Sequence, residues 1–176
     1  MSPETRTAIA REVVAFATGI VPHLDGFGPC LPVACRAVSV AERYGVRLVL
    51  QAGTATWPIL APGEDDGVRP THFTFAWDPR EPRSAAAIRN GALPEVHVWA
   101  GDPERQELLD ATTWALPDLC ARLAGLTWSG PRPPVYWWGS ARDLPDGWGY
   151  DANRDATLYC YELALRAGMI TTRRTR

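Results

Sequence analysis

Apolar positions recur along the chain at two spacings, and the change from one to the other sets out the expected elements. Over residues 5–18, Ile9, Val13, Val14, Phe16 and Ala17 keep to one side of a 3.6-residue repeat, which predicts a helix with one buried face. Ser2-Pro3-Glu4 has the make-up of a helix start and Gly19 that of a stop. A second helix is predicted over residues 32–44, where Val33, Ala37, Val40, Ala41 and Tyr44 share a face and Gly45 closes the run. A third, over residues 155–167, carries Leu158, Tyr161, Leu163 and Leu165 and stops at Gly168. Residues 117–126 predict a short helix.

The other spacing is two. Residues 71–77 alternate, with Phe73, Phe75 and Trp77 on one face and His72 and Thr74 on the other. Residues 46–52 predict a strand leaving the second helix for a sheet, after which residues 53–58 are expected to turn away. Residues 94–100 and 107–113 predict two further strands, joined by a hairpin through Gly101-Asp102-Pro103-Glu104. Residues 78–91 predict a polar excursion with one helical turn near 84–89, a surface loop or part of a lid. Residues 127–149 hold four Trp and four Pro, the composition of a packed irregular cap or of an aromatic pocket wall.

Helices interleaved with antiparallel hairpins place the chain in the α+β class, and 176 residues suit a single domain, 1–176. With 46% hydrophobic and 22% charged residues and a net charge of −2, the composition is that of a globular protein and carries no basic excess for nucleic acid. The Arg-rich run at residues 171–176 reads as a solvated tail. No apolar run approaches a membrane span and no signal-peptide layout is present, so a cytoplasmic location without a membrane partner is expected. In that setting Cys30, Cys35, Cys120 and Cys160 are expected as free thiols. The absence of CxxC argues against zinc, and Glu64-Asp65-Asp66-Gly67 falls far short of a calcium loop, so neither metal nor cofactor is expected. All 18 basic residues are Arg, which excludes lysine Schiff-base and P-loop chemistry.

One stretch nevertheless points to chemistry. Gly26-Phe27-Gly28-Pro29-Cys30-Leu31-Pro32 is a turn-rich segment that gives way to the second helix, and Pro32 suits a first helical turn. Cys30 is therefore expected at a helix N-terminus and partly exposed, in the kind of environment that favours a nucleophilic thiolate. His97 on one predicted strand and Asp110 on the next complete the residue types of a nucleophile, a base and an orienting acid. Cys35, inside the helix, is the rival nucleophile and His72 the rival base.

Gly28-Pro29-Cys30 at a helix start, the YGVRLVLQAG run at 44–53, HVW at 97–99 and LLDATT at 108–113 together resemble the transglutaminase-like branch of the papain-like cysteine enzymes. The resemblance spans residues 26–113, with 114–176 as a Trp/Pro-rich C-terminal extension ending in a helix. It implies a Cys-bearing helix packed on an antiparallel sheet whose successive strands bear the His and the Asp. It assigns the nucleophile to Cys30, the base to His97 and the orienting acid to Asp110; His23, which reads first as a polar loop residue, is the side chain it offers for an oxyanion hole. The activity implied is an intracellular cysteine acyl transfer through a thioester, covering amide hydrolase, protease, deamidase and transglutaminase. The substrate would be a peptide, a protein or a small amide. The alternative is a binding or structural protein that keeps this fold without catalysis.

Overall fold

The computed structural model describes residues 1–20, 29–65 and 67–171. Helix α1, Pro3–Ile20, starts where Ser2 Oγ accepts from the Thr5 N–H at 3.2 Å, with Pro3 in a position that needs no N–H. It buries Ile9, Ala10, Val13 and Ala17. Helix α2, Cys30–Arg43, begins two residues earlier than the apolar repeat predicts, because Pro29 and Cys30 already take up the first turn and the Val33 N–H bonds back to the Pro29 carbonyl at 3.0 Å. Gly45, at φ +69°, ends it: the N–H groups of Gly45 and Val46 satisfy the carbonyls of Glu42 and Ala41. α2 is buried along both sides, because α1 covers one and the sheet the other.

The sheet is antiparallel throughout and is built on β1, Val49–Pro58. β1 pairs with β2 (His72–Phe75), β3 (His97–Asp102) and β6 (Gly149–Ala152); β3 pairs with β4 (Glu107–Asp110), and β4 with β5 (Trp137–Ser140). Ala55 is paired at once with Phe75 and Tyr150, and Gly53 at once with His97 and Ala152. A strand has two edges, so β6 lies along one edge of β1 while β2 and β3 follow one another along the other. The chain leaves the sheet between Phe75 and His97 for an excursion holding α3, Pro82–Arg89, whose N-terminus is capped by Glu81 Oε2 accepting from the Ser84 N–H at 2.8 Å.

Two expectations are corrected here. β1 does not turn away at Gly53 but runs on to Pro58. The glycine permits close approach rather than a turn, since a Cβ there would overlap the Asp151 carbonyl and lie 2.9 Å from the Asn153 nitrogen. The residues after 113 are also more than an extension: they supply β5, β6 and the final helix α5, Arg154–Arg166. Asn153 Oδ1 caps α5, and Thr157 Oγ1 ties it to β1 by accepting from the Ala52 N–H and donating to the Ala52 carbonyl, at 3.0 and 3.2 Å.

Side-chain alternation divides the core. Leu50, Ala52, Val98, Ala100 and Leu109 face α1, α2 and α5. Ala55, Trp57, Phe73 and Phe75 face the other way, onto Leu116 and Leu119 of α4 (Leu116–Leu119), a short helix that enters from a 3-10 turn and leaves through a π turn. His97, Trp99 and Asp110 belong to this second face by the register of β3 and β4. Among the described residues no helix is long and apolar enough to cross a membrane.

Candidate active site

Asp110 is the last residue of β4 and is 2% exposed, so its charge has to be met by protein donors. Four meet it. Oδ1 accepts from the Thr112 N–H at 2.8 Å and from the Thr112 hydroxyl at 2.6 Å. Oδ2 accepts from His97 Nε2 at 2.7 Å and from the Tyr150 hydroxyl at 2.8 Å. Burial by itself pushes the Asp110 pKa up, but the His97 charge and these hydrogen bonds outweigh it and hold the carboxyl below its usual range. For His97 burial pushes the pKa down, and Asp110, with a smaller contribution from Cys30, overrides this and raises it to about 10.

Aromatic rings flank the imidazole. Trp57 meets its ring edge-on at 5.0 Å between centroids, and Phe75 stacks on it at 5.8 Å. Phe75 closes β2 opposite Ala55 and His97 opens β3 opposite Gly53, which places the two rings next to each other on one face. Nε2 is committed to Asp110, and Nδ1 is buried with no hydrogen-bond partner. Nδ1 is the nitrogen left for Cys30.

Cys30 reaches this ring at the break in the strand line between Phe75 and His97. It packs among residues of the helix-covered face, yet it shares a cavity of about 10 Å³ with His97, Phe75 and Leu119 of the opposite face, together with Pro29, Val96 and Thr112. A space of that size holds no more than about one water. Cys30 is 6% exposed, which corrects the expectation of a partly exposed thiol: its position at the helix start is covered by this contact with the sheet.

The rival candidates stand apart from this arrangement. Cys35 lies inside α2, 2% exposed, and burial, reinforced by the neighbouring Cys30, pushes its thiol up to about 11. Cys120 and Cys160 are likewise buried, free and shifted upward by burial. His72 is exposed, on the opposite face of β2 from Phe73 and Phe75, with Nδ1 2.9 Å from the Thr71 hydroxyl. His23 and the Gly26–Gly28 part of the turn-rich stretch lie outside the described residues, as do residues 172–176 of the Arg-rich run. Among the described residues no cluster of His, Cys, Asp and Glu side chains is placed to hold a metal ion.

Sequence reasoning does not single out Tyr150, Trp57 or Thr112 as partners in one network. Thr112, two residues from Asp110, carries a local signal, since Asp followed by Thr forms side-chain-to-backbone turns. Tyr150 and Trp57 carry none, because only the strand register brings them to Asp110 and His97. In comparisons with known proteins, no protein family, no curated protein and no solved structure matches this chain.

Proposed function

We propose that the protein is a cysteine-dependent acyl-transfer enzyme with a transglutaminase-like, papain-like core, acting inside the cell on an amide or ester carbonyl through a thioester on Cys30. The observation that carries this is His97: Nε2 is anchored to a buried carboxylate, and Nδ1 is buried and unpartnered beside the cavity that Cys30 lines. Asp110 increases the affinity of the imidazole for a proton, so the proton of Cys30 rests on Nδ1 and the sulfur attacks as the thiolate of an ion pair with His97. Sγ forms a bond to the acyl carbon, and the backbone N–H of Cys30, at a helix start with no side-chain cap, is assigned to the developing oxyanion. The bond to the leaving group then breaks, and His97 gives that group its proton. Water or an amine attacks the thioester and surrenders a proton to Nδ1, and the sulfur is released as the thiolate beside the recharged imidazolium. Four free thiols are in keeping with an intracellular setting.

A second reading, a binding or structural protein that keeps the arrangement without turnover, is favoured by the closure of the site. Cys30 and His97 are both buried, so an acyl group enters only by displacing side chains that line the cavity. The two readings part on thioester formation. The full chain is incubated with an activated ester, and peptide mapping locates the acyl group. Acylation confined to Cys30, lost in Cys30→Ala and slowed in His97→Gln, is expected. Equal slow labelling of all four thiols, untouched by His97→Gln, would overturn the enzyme.

A further inference from the structure

We infer that Tyr150 is a positioning residue of this site: its hydroxyl, backed by Trp57, sets how much of the Asp110 charge reaches His97. The inference rests on the acyl-transfer proposal only for what the tuned histidine is used for. The arrangement itself comes from the small residues of β1. Tyr150 stands opposite Ala55 on one edge and His97 opposite Gly53 on the other, so a methyl and a bare Cα leave room for rings from both flanking strands to meet over β1. Tyr150 lies 5.9 Å from His97, 5.7 Å from Trp57 and 5.2 Å from Trp99 between ring centroids.

The chemistry of the donors fixes the direction of every proton. An indole N–H only donates, so Trp57 Nε1 gives its hydrogen to the Tyr150 oxygen at 3.2 Å. The Tyr150 hydrogen is then directed at Asp110 Oδ2, 2.8 Å away. His97 Nε2 bonds the same Oδ2, while Oδ1 is taken up by Thr112. Two donors on one oxygen compete for its charge. Tyr150 therefore weakens the pull of Asp110 on the imidazolium, and Trp57 strengthens that effect by polarising the hydroxyl. The titratable groups acting on the His97–Asp110 pair are Cys30 from α2 and Tyr150 from β6; the faces turned to it by β1 and β2 carry Trp57 and Phe75 and add no charge. Burial, then Asp110, push the Tyr150 pKa well up, so the phenol stays a donor across the working range.

A tyrosine present only to fill the core would leave the imidazole unaffected when its hydroxyl is removed. The test is the titration of His97 in the full chain, followed by NMR of ring-labelled histidine, with the resonance identified by its loss in His97→Gln. In Tyr150→Phe the midpoint is expected to rise by about half a unit or more. Because that variant leaves the Trp57 N–H without an acceptor, a second measurement keeps the fold intact. Biosynthetic replacement of tyrosine by 3-fluorotyrosine makes the phenol a stronger donor and is expected to lower the midpoint. A His97 titration that moves in neither case overturns the inference. Failure of the acyl-transfer proposal is read separately, as a protein in which His97 shifts as described while Cys30 forms no thioester.

Discussion

Thr112 donates twice to the same oxygen of Asp110, with its N–H at 2.8 Å and its hydroxyl at 2.6 Å, and so fixes the carboxylate with Oδ2 turned to His97. Capping a turn and orienting a histidine are here the work of two oxygens of one side chain. Asp110→Asn cannot serve both. With its single acceptor on Thr112, the amide NH₂ faces the Nε2–H and the Tyr150 hydroxyl, and the imidazole can answer only by moving its proton to Nδ1. That is the wrong tautomer for taking a proton from Cys30. The variant is expected to lose about 3–5 kcal/mol of stability and to slow acylation of Cys30 by at least about 100-fold. Urea unfolding and the acylation rate measure the two losses. An unchanged rate at reduced stability would leave Asp110 with a structural role alone.

Stability is expected to peak in mildly acidic solution. The folded-state pKa of His97 is raised from 6.5 to about 10, so its contribution is complete below about pH 6.5 and disappears as the pH climbs toward 10. The folded-state pKa of Asp110 is lowered from 3.8, so its contribution is present above about pH 4 and is lost in acid. Cys35, raised from 9.0 to about 11, adds a further loss at higher pH, since the unfolded thiol ionises first. Urea midpoints between pH 3 and pH 10 test this. His97→Gln should flatten the fall between about pH 6.5 and pH 9 while leaving the steeper fall above it. A wild-type curve already flat across that interval would contradict an ion pair between His97 and Asp110.

What the sequence discloses depends on how local each cause is. α1 is legible because it buries one face and the 3.6-residue repeat records it. In α2 the repeat of Val33, Ala37, Val40 and Ala41 records only the residues that pack with α1, and α5 buries Ala156, Cys160 and Ala164 while the larger Leu158 and Tyr161 are exposed. Cys30, His97 and Asp110 stand out because few residue types can carry nucleophilic chemistry. Phe73 and Phe75 alternate with exposed His72 and Thr74, so β2 is legible too. β5 and β6 lack the strict buried–exposed alternation of β2, and they hold to the sheet through partners far along the chain. Tyr150 reaches Asp110 across 40 positions, and nothing around residue 150 announces it. Gly53 is illegible for the same reason: locally it signals a turn, while its actual cause is the backbone of residues 151–153 pressed against it.

Gly53→Ala should therefore disturb two places at once. The added methyl would overlap the Asp151 carbonyl, which is backbone and cannot swing aside, so β6 has to move away from β1. The expected cost is about 1–3 kcal/mol, with more if the ladder separates. Because β6 carries Tyr150, the hydrogen bond to Asp110 should lengthen, and the His97 midpoint should shift in the same direction as in Tyr150→Phe. Gly45→Ala is the control, since nothing lies within 4 Å of a Cβ there and its cost comes from the positive φ alone. That variant should lose stability without moving His97. Equal His97 titrations in the two variants would separate β6 from the site.

Cys30→Ala and Cys35→Ala form the pair that decides between enzyme and scaffold. Both thiols are buried, at 6% and 2% exposure, and both pack in the cluster that joins α2 to α5 and the sheet. Truncating either removes a sulfur from a filled space, so each is expected to cost about 1 kcal/mol. Stability therefore does not distinguish them, and chemistry has to. Cys30 lies beside the unpartnered Nδ1 of His97, whereas Cys35 is a turn and a half further into the helix, with its thiol shifted upward by burial. Cys30→Ala should abolish thioester formation, and Cys35→Ala should leave the rate within about twofold of wild type. Loss of acylation in Cys35→Ala alone would move the nucleophile one and a half turns along α2 and break the link to His97. Survival of acylation in both variants would place the reaction on another thiol and leave Cys30, His97 and Asp110 as a buried structural network.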